Sequence, residues 1–298
     1  MHSMLQKGII DQFTQFNMLM KNVIYINVNI DGLPIAKSLK SQLWPILAHI
    51  YSENSTPFLV GAYHGYNKPT TYNNFLQHFG REFKKLSTDG FRYENNKYYG
   101  KIRAIICDSP ARSFATCTNG HNGYFGCSKC MVEGDYENRR MLFLDQECPL
   151  RTDESFTLRQ NPEHHTGIFI FEKIPLPMVA TFPLDYMHLI CLGQMKKLLI
   201  LWLRGSTRIK CRLSSNQIKN LISDMLVLKK YVCSEFVRVP TTVEELDRWK
   251  ATEFRIFLLY LGPVLLYKYF PSDYLKHFTA FHCAIRILCH PQDYLENN

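Results

Sequence analysis

The sequence predicts an α/β fold with a mixed sheet at its core, and three observations carry that reading. Residues 23–30 alternate apolar and polar side chains, and residues 102–107 form an almost continuous apolar run. Between them lie two more strand-like runs and one amphipathic helix. From about residue 175 onward the pattern is helical.

The elements follow in order. Ile24, Ile26, Val28 and Ile30 fall on one face of the first run, and Tyr25, Asn27 and Asn29 on the other, which is the period of a strand. Asp31-Gly32-Leu33-Pro34 breaks it. Residues 42–50 and 57–63 are two further strands, the first weakened by Pro45, which has no N–H for a central ladder. Asn67-Lys68-Pro69 is a turn. Thr70 or Thr71 caps a helix over about 72–87, where Phe75, Phe79, Phe83 and Leu86 share a face. Such a stripe is core, not a ligand site. Residues 90–100 predict a short hairpin, and 102–107 a strand buried on both faces.

Three antiparallel strands followed by a right-handed helical crossover place the fourth strand beside the first and parallel to it. Asp31 and Asp108 then leave the sheet at one edge, at the carboxyl ends of neighbouring strands, where ligand crevices form in α/β sheets. This is the strand order of an RNase H-like core, expected over residues 20–150. Residues 151–298 are expected to form a largely α-helical insertion or second subdomain. Within it, Gly193 to Leu203 is an apolar helix and Ser214 or Ser215 begins another. Thr242 and Glu245 have capping-box spacing before a helix through Trp249 and Phe254, and Ser272 opens a last helix.

Composition narrows the function classes. The chain has 298 residues, 46% of them hydrophobic, so it can bury a core. No apolar stretch reaches the ~18 residues of a membrane helix, and the nearest, Ile256 to Tyr267, contains Gly262-Pro263. The first residues show no signal-peptide pattern, so the ten cysteines are expected to be reduced thiols. A formal charge of +9 favours a polyanionic partner.

Four groups of residues carry candidate chemistry. Asp31 and Asp108 are either a pair of ligands for a divalent cation or two turn-forming aspartates. Cys127-Ser128-Lys129-Cys130 is a C-x2-C behind a glycine-rich turn, read as half a zinc site or as two packed thiols. His121, His164, His165 and His188 are the candidates to complete it. His277 and His282, an H-x4-H in a helix, are expected to share one face. Between Lys196 and Lys230 nine basic residues face one acid, Asp224. Lys196, Lys197, Arg204, Arg208, Lys210 and Arg212 lead this block, which suits a phosphate backbone or a solvated helix face.

These residues, in order, resemble the transposases of CACTA-type (En/Spm, Tnp2-like) DNA transposons, members of the DDE/DDD recombinase group. The matching segments are Asn29 to Pro34, Gln42 to Leu47, Ile106 to Arg112, Gly120-His121 through Cys130, Phe182 to Leu189 and Trp249 to Arg255. The resemblance implies that Asp31 and Asp108 are the first two acids of a site for Mg²⁺ or Mn²⁺. It implies that Cys127 and Cys130 belong to a zinc site, and Asp185 and His188 match a D-x2-H element of this group. The family's pattern then carries an H-x3-4-H pair and a third acid, both placed beyond Cys289. Because the chain stops at Asn298, the third acid is expected to be missing, with Glu253, and Glu296 near the terminus, as the candidates within it.

The expected function is therefore a transposase-like DDE nuclease core that cuts and joins DNA, as a truncated or degenerate copy. The expected partners are transposon ends, target DNA and a second copy of the chain, in the nucleus. The alternative is a catalytically inactive, domesticated nucleic-acid-binding protein.

Overall fold

β1 (Val23–Ile30) is the centre of the fold, and its alternation is realised in full: Ile24, Ile26, Val28 and Ile30 are at most 1% exposed. Burial of each such side chain stabilises the fold by about 1.5–3 kcal/mol. The computed structural model describes residues 4–17, 21–36, 39–145, 147–169 and 176–290. It divides into two compact units, Met1–Asp185 and Tyr186–Asn298. The segment 151–185 thus belongs with the first.

The first unit is mixed α/β. Helix α1 (Met4–Phe16) precedes β1, followed by β2 (Leu33–Ala36), β3 (Leu39–Ile50), β4 (Phe58–Gly65) and helix α2 (Tyr72–Thr88). Then come β5 (Phe91–Tyr93), β6 (Asn96–Ile106) and helix α3 (Ser109–Thr116). Among the described residues these strands form one six-stranded sheet, with the path β2-β3-β1-β6-β5 and β4 on the far side of β3. β3 runs antiparallel to β1 and β4, and β6 parallel to β1. The strand pairing read from the sequence is the one observed.

α2 makes the crossover. Thr71 caps it by accepting a hydrogen bond from the Asn74 N–H. Phe79, Phe83 and Leu86 are buried in the core beneath the sheet, together with Leu5, Ile9 and Phe13 of α1. The 90–100 hairpin forms as β5 and β6, closed by Glu94 in the left-handed region.

Pro45 does lie inside a central strand. β3 pairs with β2 at Leu43 and Gln42, and with β1 from Ile46 onward. Pro45 occupies the step between those partners, where the chain opposite is turning from β1 into β2. A missing N–H is tolerated at such a break in the ladder.

After α3 come a small hairpin, β7 (Asp135–Glu137) with β8 (Arg140–Leu142), and the short helix α4 (Asp153–Thr157). The second unit is helical. A π-helical stretch, Met187–Met195, runs into α5 (Lys196–Arg204). Then follow α6 (Ser215–Leu228), α7 (Ala251–Ile256), α8 (Gly262–Tyr267) and α9 (Ser272–Cys289). Ser214 caps α6 through a capping box with Gln217, and Trp202, Phe254, Phe257 and Phe278 fill the core.

Two local expectations fail here. Thr242 and Glu245 form no capping box. Residues Val243–Arg248 are a 3-10 segment, Glu245 is non-helical inside it, and extended Trp249 and Lys250 separate it from α7. His277 and His282 do not share a face: five residues at ~100° each place them about 140° apart. His277 is exposed, while His282 is buried and donates Nδ1–H to the Leu258 carbonyl at 2.9 Å. No helix of the described residues is long and apolar enough to cross a membrane.

Candidate active site

β1 and β6 bring the two aspartates together. Their parallel register pairs Val28 with Ile105 and Asn29 with Ile106. Asp31 directly follows β1 and Asp108 lies two residues past β6, so both acids emerge at this end of the parallel pair. Asn29 holds this end of the ladder by donating its side-chain amide to the Ile106 carbonyl at 3.2 Å. Both aspartates line one cleft of about 570 Å³, with Gly32, Trp44, Asn67 and Lys68 in its wall.

Gly32 lies against the Trp44 indole, where a Cβ would come within 2.7 Å of a ring carbon. Trp44 is fixed by its Nε1–H, which donates to Gln42 Oε1 at 3.1 Å, and by an edge contact with Phe114. Lys68 places its ammonium 5.3 Å from the centroid of the same Phe114 ring, so a cation shares the cleft with the two acids. Asp108 is the N-cap of α3: its Oδ1 accepts the Ala111 N–H at 2.7 Å. That bond is the turn role expected of an Asp at a strand end, and it leaves the second carboxylate oxygen for another partner.

A third carboxylate comes from further along the chain. The Ile105 N–H donates to the Thr181 carbonyl at 2.7 Å, so the segment leading to Asp185 lies along the flank of β6 opposite β1. Lys129 fastens it by donating Nζ to the carbonyls of Val179 and Phe182, at 2.8 and 3.0 Å. Arg112 reaches the Pro183 carbonyl. Cys107, buried under this edge, senses the result. Burial pushes its thiol up to about 12, against the Arg112 charge, and Asp108, Asp185 and Asp31 all push the same way. Sequence reasoning named Asp185 only through the family element. The backbone bond to β6 that brings it here leaves no mark in local periodicity.

Cys127 and Cys130 also converge, with sulfurs 3.2 Å apart. The turn before them requires glycine, since a Cβ on Gly126 would sit 2.1 Å from the Gly120 carbonyl oxygen. Burial raises the Cys127 thiol, but hydrogen bonds from the backbones of Lys129 and Cys130 and from the Cys130 thiol outweigh it, leaving the group below its ordinary value. Cys130 is pushed up to about 11, first by burial. None of the ten cysteines forms a disulfide. Among the described residues no three His, Cys, Asp or Glu side chains are already gathered around one ion-sized point.

The remaining candidates occupy separate settings. His121 shares a hydrogen bond with Ser109, and His165 stacks edge-on against Phe156. Buried His164 donates Nδ1–H to the Phe125 carbonyl at 2.6 Å. Burial holds it down at about 4, against that bond, with Arg151 and His165 adding to the depression. In the second unit, His188 lies in the π-helical stretch and is half-buried. Glu253 is buried and caps α7, its Oε2 accepting the Lys250 N–H at 2.8 Å. Lys197, Arg204, Arg208 and Lys210 are exposed, Lys196 and Arg212 half-buried, and Arg204 is paired with Asp247 at 2.7 Å. Glu296 lies outside the described residues.

A comparison with protein-family models finds no match to this chain, and no curated protein matches it significantly.

Proposed function

We propose that the first unit is an RNase H-like nuclease core of the DDE type, which acts on the phosphodiester backbone of DNA. Asp31, Asp108 and Asp185 are its carboxylates. The observation that carries this reading is the parallel pairing of β1 with β6, just beyond whose ends Asp31 and Asp108 line one cleft.

Hard carboxylate oxygens at one sheet edge fit Mg²⁺ or Mn²⁺. Such an ion, when bound, offsets their mutual repulsion and lowers the pKa of a coordinated water or 3′-hydroxyl. The chain's own residues supply the rest. Asp31 is oriented by the Gly32–Trp44 contact and Asp108 by its cap on α3. Lys68, across the cleft, is placed to meet a phosphate oxygen. Asp185 replaces Glu253 as the preferred third acid, because Glu253 already serves its own helix.

The test is nicking of supercoiled plasmid with Mn²⁺ present. Asp31→Asn, Asp108→Asn and Asp185→Asn should each abolish it, and Glu253→Gln should leave it. Nicking that survives in the first two variants rejects the reading.

The exposed cations of the second unit favour a second reading, a nucleic-acid binder without chemistry. Salt-dependent DNA binding with no Mn²⁺-dependent cleavage would select it.

A further inference from the structure

The face of the sheet opposite α1 and α2 is basic and aromatic. Tyr25 of β1 stands there, 46% exposed, between Ile24 and Ile26 of the core face. Its carbonyl accepts the N–H of Tyr51, just past β3, at 2.8 Å, and the parallel register sets Lys101 of β6 opposite it on the other side. Tyr51, Tyr25 and Lys101 thus form a row across three strands, about 4.8 Å per step. Tyr51 is 56% exposed. Alternation along β6 adds Lys97, Tyr99 and Arg103 to the same face, and β5 adds Arg92, paired with Lys97.

Two of the cations lie over the rings. The Arg103 guanidinium reaches across β1 to within 4.0 Å of the Tyr51 ring centroid, from a residue that β6 carries in excess where its register with β1 shifts. The Lys97 ammonium is 5.1 Å from the Tyr99 centroid. Such contacts hold the rings in place before any ligand arrives. Arg92, Lys97, Lys101 and Arg103 are all exposed. Among the described residues, β1, β3, β5 and β6 contain no Asp or Glu; Glu53 and Glu94 lie in the adjoining turns.

Four like charges on one face repel one another, and a polyanion relieves that repulsion. The tyrosines narrow the choice of polyanion. An acidic peptide meets the cations but leaves the rings without a planar partner. A duplex keeps its base faces stacked on each other. An unpaired strand offers phosphates to the cations and base faces to the rings, the combination on which sequence-tolerant single-strand binding rests.

We propose that this face of the first unit is a platform for single-stranded nucleic acid, on which bases stack against Tyr25 and Tyr51 while Lys101 and Arg103 meet phosphates. Tyr25 lies six residues before Asp31, about 20 Å along the strand direction, so platform and acid cleft are separate parts of one sheet. The platform uses none of the cations of the second unit and does not rest on the carboxylate reading.

The test is binding of a fluorescein-labelled thymidine oligomer to the full chain at low salt in EDTA, read by fluorescence anisotropy. EDTA suppresses metal-dependent cleavage, so the result is independent of the carboxylates. The wild-type chain should bind the oligomer more tightly than a duplex of the same length. Tyr25→Ala should weaken binding about 5–150-fold, the usual loss of one stacked base, and Tyr25→Phe should retain it. Lys101→Gln, a change at an exposed side chain, should lower the slope of log affinity against log salt by about 0.7, the share of one phosphate on a single strand. A chain that binds no oligomer overturns the proposal. So does undiminished binding by folded Tyr25→Ala, an unchanged salt slope in Lys101→Gln, equal binding of the duplex, or displacement of the oligomer by polyglutamate at equal charge.

Discussion

The side-chain amide of Asn29 donates to the Ile106 carbonyl at 3.2 Å, joining β1 to β6 two residues before Asp31 and Asp108. The bond ties together the two chain segments from which Asp31 and Asp108 emerge. Asn29→Ala should cost about 1 kcal/mol in urea unfolding. It should lower Mn²⁺-dependent nicking by more than that loss of folded protein explains. A stability loss with undiminished nicking by the folded fraction would show that the bond does not position the acids.

Gly32 is the second positioning point. A methyl group there meets the Trp44 indole at 2.7 Å. Gly32→Ala should destabilise the first unit by about 1–3 kcal/mol through overpacking. Adding Trp44→Phe should recover part of that loss. If the double variant melts lower than the sum of the two single changes, the clash is not the cause.

Much of this edge was legible in the sequence. The alternation of Ile24, Ile26, Val28 and Ile30 defines β1, and the almost continuous apolar run before Cys107 defines the end of β6, although Arg103 within it is exposed and burial on both faces is not realised. The helix between them forces the crossover that makes these strands parallel neighbours. What stayed hidden depends on tertiary pairing. Asp185 reaches the edge through tertiary bonds from Ile105, Lys129 and Arg112 to the segment before it, and Cys148 comes toward Cys130 through an isolated bridge at Leu150. Neither leaves a period or a spacing. Thr242 and Glu245 failed in the opposite way: the motif is present, but the backbone turns as a 3-10 segment, and extended Trp249 and Lys250 interrupt the expected helix.

His164 makes the first unit sensitive to acid. Its folded value is about 4 and its ordinary value 6.5, chiefly because burial disfavours the charged ring. Between those values the unfolded chain holds the extra proton, so stability rises with pH through the window and is lost as pH falls from 6.5 toward 4. The full shift corresponds to roughly 3 kcal/mol. His164→Gln should flatten the profile of unfolding free energy between pH 6.5 and 4. A variant with the wild-type slope would place the sensitivity elsewhere.

Asp224 sets a smaller dependence in the second unit. Its carboxylate accepts hydrogen bonds from Lys268 Nζ at 2.8 Å and Tyr269 Oη at 2.7 Å, and the Lys268 bond first, then the Tyr269 bond, hold it below the usual carboxylate range. A depressed acid contributes stability above its unfolded value, and the contribution disappears as pH falls through the folded one. Asp224→Asn should therefore cost less than about 1 kcal/mol at pH 7, and nothing once pH is well below 4. A cost that persists at pH 2 would make the contribution one of packing.

Asp31 and Asp108 are proposed to share one divalent ion. Titration of Mn²⁺ into the full chain, followed by electron paramagnetic resonance of the unbound ion, measures this directly and independently of any DNA substrate. The wild-type chain should show a Mn²⁺ site that is lost in Asp31→Asn and equally in Asp108→Asn, while Glu253→Gln retains it. Undiminished Mn²⁺ binding in both aspartate variants would contradict it.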